Sequence, residues 1–403
     1  MQVPSPAAGA PPRRAEVLAV YGAGLFQGLS LVAVPAAATV LTNPSAYDLS
    51  ESQYGLLFLP QVVMAIAASL ALPWLAGRTA LKHVLVVGLA ANTLAMTLLV
   101  ASNGVQGDAT AFPMLLVATA SLGLGFGLTL GSISTFAGAF HPEGRAVALT
   151  ALNVLLGLGT ALSPLLIALF LDIGEWWYLP VIAAAGLLAA LVLAATQPLV
   201  AGRGRSEPGA ADAPTTRPPI PALFWLFAAT LVLYGIAETM FGNWGSTLLV
   251  GEGAASATSA TYALAAFWAA VTVGRLVIAL VAGHVRSTRI YVVLPWAMAV
   301  ALVAAPWVGS AATGIALFAF AGLACSGFFP MTVGYGETSF SGMVELAAGW
   351  LIAAYQLGYG LAAFGGGALQ DAVSLATLFR LAAVLAALMG LLALGVGRAQ
   401  PSG

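Results

Sequence analysis

The sequence predicts an all-α integral membrane protein with twelve transmembrane helices in two six-helix halves. Three observations carry that expectation. The 403 residues are 61% hydrophobic and only 7% charged, where soluble chains average about 25% charged. Apolar runs long enough to cross a bilayer, about 20 residues, recur along the whole chain. One polar stretch, PLVAGRGRSEPGAADAPTTRPP at 198–219, is too rich in Pro, Gly and charge to insert, and it divides the runs into equal sets.

The runs place helices near 17–41, 54–75, 83–101, 112–139, 146–171 and 177–197, then near 221–249, 258–281, 290–309, 312–335, 343–369 and 373–396. The chain therefore divides into a tail (1–16), a first half (17–197), a linker (198–220), a second half (221–396) and a short tail (397–403). The N-terminus, MQVPSPAAGAPPRRAE, lacks a short apolar core with a small-residue cleavage site, so the first span reads as an uncleaved anchor. Basic residues orient the spans. With both termini in the cytoplasm, Arg13, Arg14, Arg78, Lys82, Arg145, Arg203, Arg205, Arg217, Arg286, Arg289 and Arg398 fall at the inner side, and only Arg380 in the outer half. The other loops hold Asp48, Glu51, Asp108, Asp172, Glu175, Glu252 and Asp371. The expected location is the cell (inner) membrane.

Several classes drop out. A net charge of −1 with no basic face gives nucleic acid nothing to bind. Cys325 is the single cysteine, so no intrachain disulfide can form, and it reads as a small apolar filler. His83, His141 and His284 lie in predicted loops and form no metal cluster. GLGFGLTLG at 123–131 and FGGGAL at 364–369 follow no strand and precede no Gly-Lys-Ser/Thr, so they read as helix-packing glycines rather than phosphate loops. No cofactor is expected. An intramembrane enzyme would need paired acids, a nucleophile with its base, or a metal set, and none is visible; a channel would show a charged ring.

The halves echo each other. LAGRTALKHVLVV (75–87) and VAGHVRSTRIYVV (281–293) share Ala-Gly, a basic loop and a Val-Val restart, and LGLG (156–159) matches LGYG (357–360) in the corresponding helix. Such parallel duplication is a transporter plan. Twelve helices, two halves, a central inner loop and a basic loop after the second span resemble the major facilitator superfamily. Of that family's gating loop G-x-x-x-D-R-x-G-R-R, only Gly77, Arg78 and Lys82 stand here. Tyr234, Gly235, Glu238, Asn243 and Trp244, followed by Phe267, Trp268, Gly274 and Arg275, resemble the fucose permease branch of sugar–proton symporters. That branch uses acids on helices 1 and 4; here helix 1 offers Gln27 and helix 4 has no acid. The resemblance implies a secondary transporter working by alternating access, with gating residues Arg78 and Lys82; Arg275, near the inner end of helix 8, is expected to gate or bind, or else to reach the cytoplasmic surface as an anchor.

Glu238 is the one acid deep within a span. A carboxylate in hydrocarbon is costly, so such a residue faces a protein interior or a water-filled cavity and marks a proton pathway; it is the expected proton-coupling group. Tyr234 shares its face at the i, i+4 spacing. Trp268, Thr272 and Arg275 make one stripe on helix 8, and Tyr355, Gln356 and Tyr359 cluster on helix 11. With Gln27, Asn153, Tyr234, Asn243, Trp244 and Trp268, these helix 11 residues are the expected solute-binding groups, while Ser132 and Thr135 add hydroxyls on helix 4. Singly, each also fits a hydrogen bond between helices. Together, neutral amides, hydroxyls and aromatic faces suit a small polar, sugar-like solute taken up with protons by a monomer in lipid. Efflux of drugs or metabolites is the alternative, though LGLGTALSPLLI (156–167) lacks the Gly-Pro-x-x-Gly-Gly ending of many exporters.

Overall fold

The computed structural model describes residues 12–141, 143–199, 221–281, 286–340, 344–370 and 372–399. Most of the linker, both extreme tails and His284 lie outside the described residues. Sixteen α-helices form among those described, without a strand. The first span is three pieces, α1 (Arg14–Leu31), α2 (Ala33–Ala36) and α3 (Ala38–Leu41). The second is α4 (Glu51–Leu56) and α5 (Phe58–Arg78). Then come α6 (Leu81–Ser102), α7 (Ala111–Phe140), α8 (Arg145–Leu171) and α9 (Tyr178–Thr196). The second half holds α10 (Ala222–Gly251), α11 (Ala257–Val281) and α12 (Ser287–Ala304). Its tenth span is α13 (Ala311–Cys325) plus α14 (Phe328–Ser339), followed by α15 (Val344–Leu369) and α16 (Leu375–Ala399). Among the described residues, ten helices are long and apolar enough to cross a membrane; the broken first span and α15 are not among those ten.

The sequence predicts one helix per span, and three spans depart from that. Three of the four breaks fall about four residues before a proline: Leu31 before Pro35, Leu56 before Pro60, Ser326 before Pro330; the fourth, at Ala37, does not. Proline has no N–H for the carbonyl four residues back, and its ring crowds that carbonyl. Pro73, Pro164 and Pro295 sit inside continuous helices, so proline alone does not decide the matter. His83 lies in the first turn of α6, not in a loop. The ninth span stops at Ala304, where Ala305–Trp307 tightens into a 3-10 turn around Pro306.

Glycines set the closest helix approaches. A Cβ on Gly159 would strike the Leu25 carbonyl of α1, and one on Gly358 would strike the Val232 carbonyl of α10. Spans 1 and 5 thus pack as spans 7 and 11 do, which is the parallel duplication in atomic form. The other glycine of each repeat faces the opposite half: Gly157 meets Thr272 of α11, and Gly360 meets Val62 of α5. The two repeats therefore use their glycines in swapped order, so the sequence match marks the right helices but not equivalent positions.

The halves also close at the end that carries Asp48 and Glu51. The Ser52 hydroxyl donates to the Gly367 carbonyl at 3.1 Å. Tyr54 donates to the Asn243 carbonyl at 3.0 Å and sets its ring edge-on to Trp244 at 5.1 Å. A Cβ on Gly55 would stand 2.8 Å from the Gly367 Cα.

Candidate functional site

A cavity of about 80 Å³ lies between the halves. Five of the expected solute-binding residues line it: Asn243 on α10, Trp268 on α11, and Tyr355, Gln356 and Tyr359 on α15. Asn243 donates its amide to the Tyr359 hydroxyl at 3.2 Å. Gln61 on α5 also lines it; sequence reasoning missed this residue, a single amide in an apolar run next to Pro60.

Glu238 stands beside the cavity, behind Tyr355, and is only 4% exposed. The Tyr234 hydroxyl lies 2.6 Å from its Oε1 and the Tyr355 hydroxyl 2.7 Å from its Oε2. Tyr234 also lies 2.9 Å from the Cys325 carbonyl, at the break in the tenth span. A hydroxyl has one proton to give. With an ionised carboxylate, Tyr234 would face two acceptors and could satisfy one. With a protonated carboxyl every bond closes: Glu238 donates to Tyr234, Tyr234 to the Cys325 carbonyl, and Tyr355 to the remaining Glu238 oxygen. The carboxyl sits among rings, with Tyr234 stacked on Phe328 at 5.6 Å and Phe329 against Tyr355 at 4.9 Å.

Arg275 does not pair with Glu238. Its Nε donates to the Ser326 carbonyl at 3.3 Å. That carbonyl is the one Pro330 leaves without a helical N–H. Two donors from outside the tenth span, Tyr234 and Arg275, thus hold consecutive carbonyls at its break. Cys325 is buried with a free thiol, and its carbonyl is the group in use.

Other expected site residues lie elsewhere. Gln27 is fully buried in the first half, where its Oε1 accepts from Asn92 at 2.6 Å; it does not line the cavity. Trp244 belongs to the seal between halves, its indole donating to the Ala362 carbonyl at 3.0 Å. Asn153 is exposed on α8 and is not part of the lining. Ser132 and Thr135 donate to their own helix, to the Leu128 and Gly131 carbonyls. Arg78 stacks on Trp74 of its own helix at 4.0 Å. Lys82 donates to the Gln197 carbonyl just past α9 at 2.7 Å, a contact within the first half. Thr272, on the Trp268–Arg275 stripe, donates across the halves to the Gly157 carbonyl at 3.2 Å.

Two matched helical halves around a polar cavity, in a multi-pass membrane chain, define the class: a membrane transporter rather than an enzyme. The Major Facilitator Superfamily model matches residues 17–311, and the chain belongs to that superfamily. No curated protein matches it in sequence. Among solved structures it is similar to a bacterial homologue of the human lysosomal transporter Spinster in an inward-facing, occupied conformation (TM-score 0.73, 15% identity, 97% of this chain and 98% of that one). It is also similar to a D-xylose–proton symporter (0.73, 14%, 94% and 96%). A third similar structure is a point mutant of the nucleoside transporter NupG (0.76, 12%, 95% and 100%). At these identities the likeness concerns the fold.

Proposed function

We propose that the protein takes up a small, uncharged, sugar-like solute together with protons by alternating access, with Glu238 as the proton carrier. The observation that carries this reading is the geometry at Glu238: the Tyr234 hydroxyl lies within hydrogen-bond distance of both the carboxyl and the Cys325 carbonyl, and Tyr355 of the other carboxyl oxygen, a set of three contacts that a proton on the carboxyl would satisfy together. When that proton leaves, Tyr234 has one O–H for two acceptors, the carboxylate and the Cys325 carbonyl. Deprotonation therefore competes with the tie between the seventh span and the break in the tenth. Tyr355 carries the same event toward the solute, because it lines the cavity and also bonds Glu238. Two of the similar structures are described as a D-xylose–proton symporter and a nucleoside transporter. The helix 7 and 8 motifs keep the fucose permease branch as the preferred relation.

The protein is proposed to work as a monomer in the cell inner membrane with both termini cytoplasmic. The seal at Ser52, Tyr54 and Gly367 then closes the outer side. The test is purified protein in liposomes with an imposed pH gradient, acid outside, and a panel of labelled neutral solutes. Accumulation that collapses with a protonophore supports symport. Downhill movement indifferent to the gradient would overturn the coupling, and expulsion of solute against protons would mark an exporter.

A further inference from the structure

The two walls of the cavity differ in chemistry. Its polar side chains Asn243, Trp268, Tyr355, Gln356 and Tyr359 all come from the second half. The first half offers Leu31, Val32, Pro35, Val62, Ala65 and Phe126, and among these apolar groups one amide, Gln61. Gln61 is 4% exposed, and its Oε1 has no hydrogen-bond partner among the described residues. Across the cavity the Trp268 indole N–H also lacks one. Buried polar groups are normally paired, and one left unpaired is costly. Here a residue with an unpaired acceptor in one half and a residue with an unpaired donor in the other line one cavity, both of those atoms being covered in this conformation. Among the described residues no charged side chain lines it, so an anion would touch no cation there.

We infer that the site selects an uncharged ring solute with two unlike sides, and that Gln61 is the solute's hydrogen-bond link to the first half. The solute's hydroxyl-bearing edge faces the second half; its C–H or aromatic face lies on the apolar wall with Phe126. One polar group on the solute pairs with the Gln61 amide. This assignment rests on the transport reading above and narrows it. A chain polyol with hydroxyls on every side would bury some of them against Leu31, Val32 and Val62 without partners. Because both halves must close on the solute, loss of Gln61 weakens binding and slows the step in which the halves exchange sides.

Thermal stabilisation of the detergent-purified full chain tests this with four probes: methyl β-D-glucopyranoside, uridine, sorbitol and gluconate. The expected result is stabilisation by one or both ring compounds, weakened about tenfold in Gln61→Met, with little from sorbitol or gluconate. In liposomes, Gln61→Met should slow exchange of the bound ring solute by more than its loss of affinity. Gln61→Asn, which keeps the amide but withdraws it, should show the same losses and serves if the Met variant does not fold. Equal stabilisation by sorbitol or gluconate overturns the inference, as does stabilisation by none of the four. Unchanged ring-solute binding and exchange in both Gln61 variants overturns the role of that residue. The two readings fail separately. Gluconate accumulated on a pH gradient would leave proton-coupled uptake standing and remove the uncharged, two-sided site; ring solutes that bind yet never accumulate would do the reverse.

Discussion

Replacing Glu238 by Gln asks whether the proton, and not the side chain's shape, drives the cycle. The amide is close to an isostere of the protonated acid. Its N–H can donate to Tyr234, 2.6 Å from the wild-type Oε1, and its oxygen can accept from Tyr355, which stands 2.7 Å from Oε2. Tyr234 then keeps its bond to the Cys325 carbonyl. One spare amide N–H remains, so stability should fall by no more than the about 1–3 kcal/mol of a single unmatched buried group. Glu238→Ala removes both acceptor oxygens, strands the Tyr355 hydroxyl and leaves a void, and should be clearly less stable than the Gln variant. Transport separates further. One pH unit corresponds to about 1.36 kcal/mol per proton, so a carrier moving one proton with each solute accumulates about tenfold per unit of gradient. Glu238→Gln should accumulate nothing beyond equilibrium yet still exchange solute across liposome membranes. The assay is paired: gradient-driven uptake and counterflow on the same preparation. Tenfold accumulation by the Gln variant would refute the proton-carrier role. Loss of exchange together with uptake, in a variant that folds poorly, would make Glu238 a structural contact between helices.

Tyr234→Phe removes the link between the carboxyl and the Cys325 carbonyl; it should shift the pH at which turnover is fastest, read as counterflow rate against pH, while Tyr355 still holds Glu238. Arg275→Ala leaves the Ser326 carbonyl without its donor, so turnover should slow more than binding weakens; Arg275→Lys keeps the charge but loses the planar fork and should recover only part. Normal exchange in both would reduce Arg275 to an anchor. Gly367→Ala would press a methyl on the Glu51 carbonyl at 2.5 Å, so it should loosen the seal at Ser52, Tyr54 and Gly367, seen as faster maleimide labelling of Val62→Cys from the side the seal closes, proposed to be the outer one, a clean readout because Cys325 is buried. A reporter active only outside the cytoplasm, fused after Gly403, should stay silent; activity there would break the proposed topology.

Much of the fold was legible because hydrocarbon leaves a chain few options. Every backbone polar group must be satisfied within the span, so apolar runs gave helix positions to within a few residues, as α7 at Ala111–Phe140 against an expected 112–139 shows. The interruptions were less legible. Pro35, Pro60 and Pro330 break helices that Pro73, Pro164 and Pro295 do not. At Pro330 the difference can be named: Arg275 and Tyr234 arrive from other spans to take the carbonyls that the break exposes, and no local pattern carries that.

The site was half legible for a related reason. Glu238 and Tyr234 share a helix face, so their bond follows from spacing alone. Tyr355 was visible as a polar residue on the eleventh span, but its pairing with Glu238 depends on how two distant helices cross. Neighbours in sequence misled where helical geometry parts them: adjacent residues point about 100° apart, so Asn243 reaches the cavity while Trp244 turns into the seal. Gln27 sits among small residues like any cavity amide, and nothing near it announces that Asn92 of the third span has already claimed it. Gln61 is the converse case, an amide with no protein partner for its oxygen among the described residues. Composition treats the two alike; the packed structure gives the Gln27 oxygen a partner inside the first half and gives the Gln61 oxygen none among the described residues.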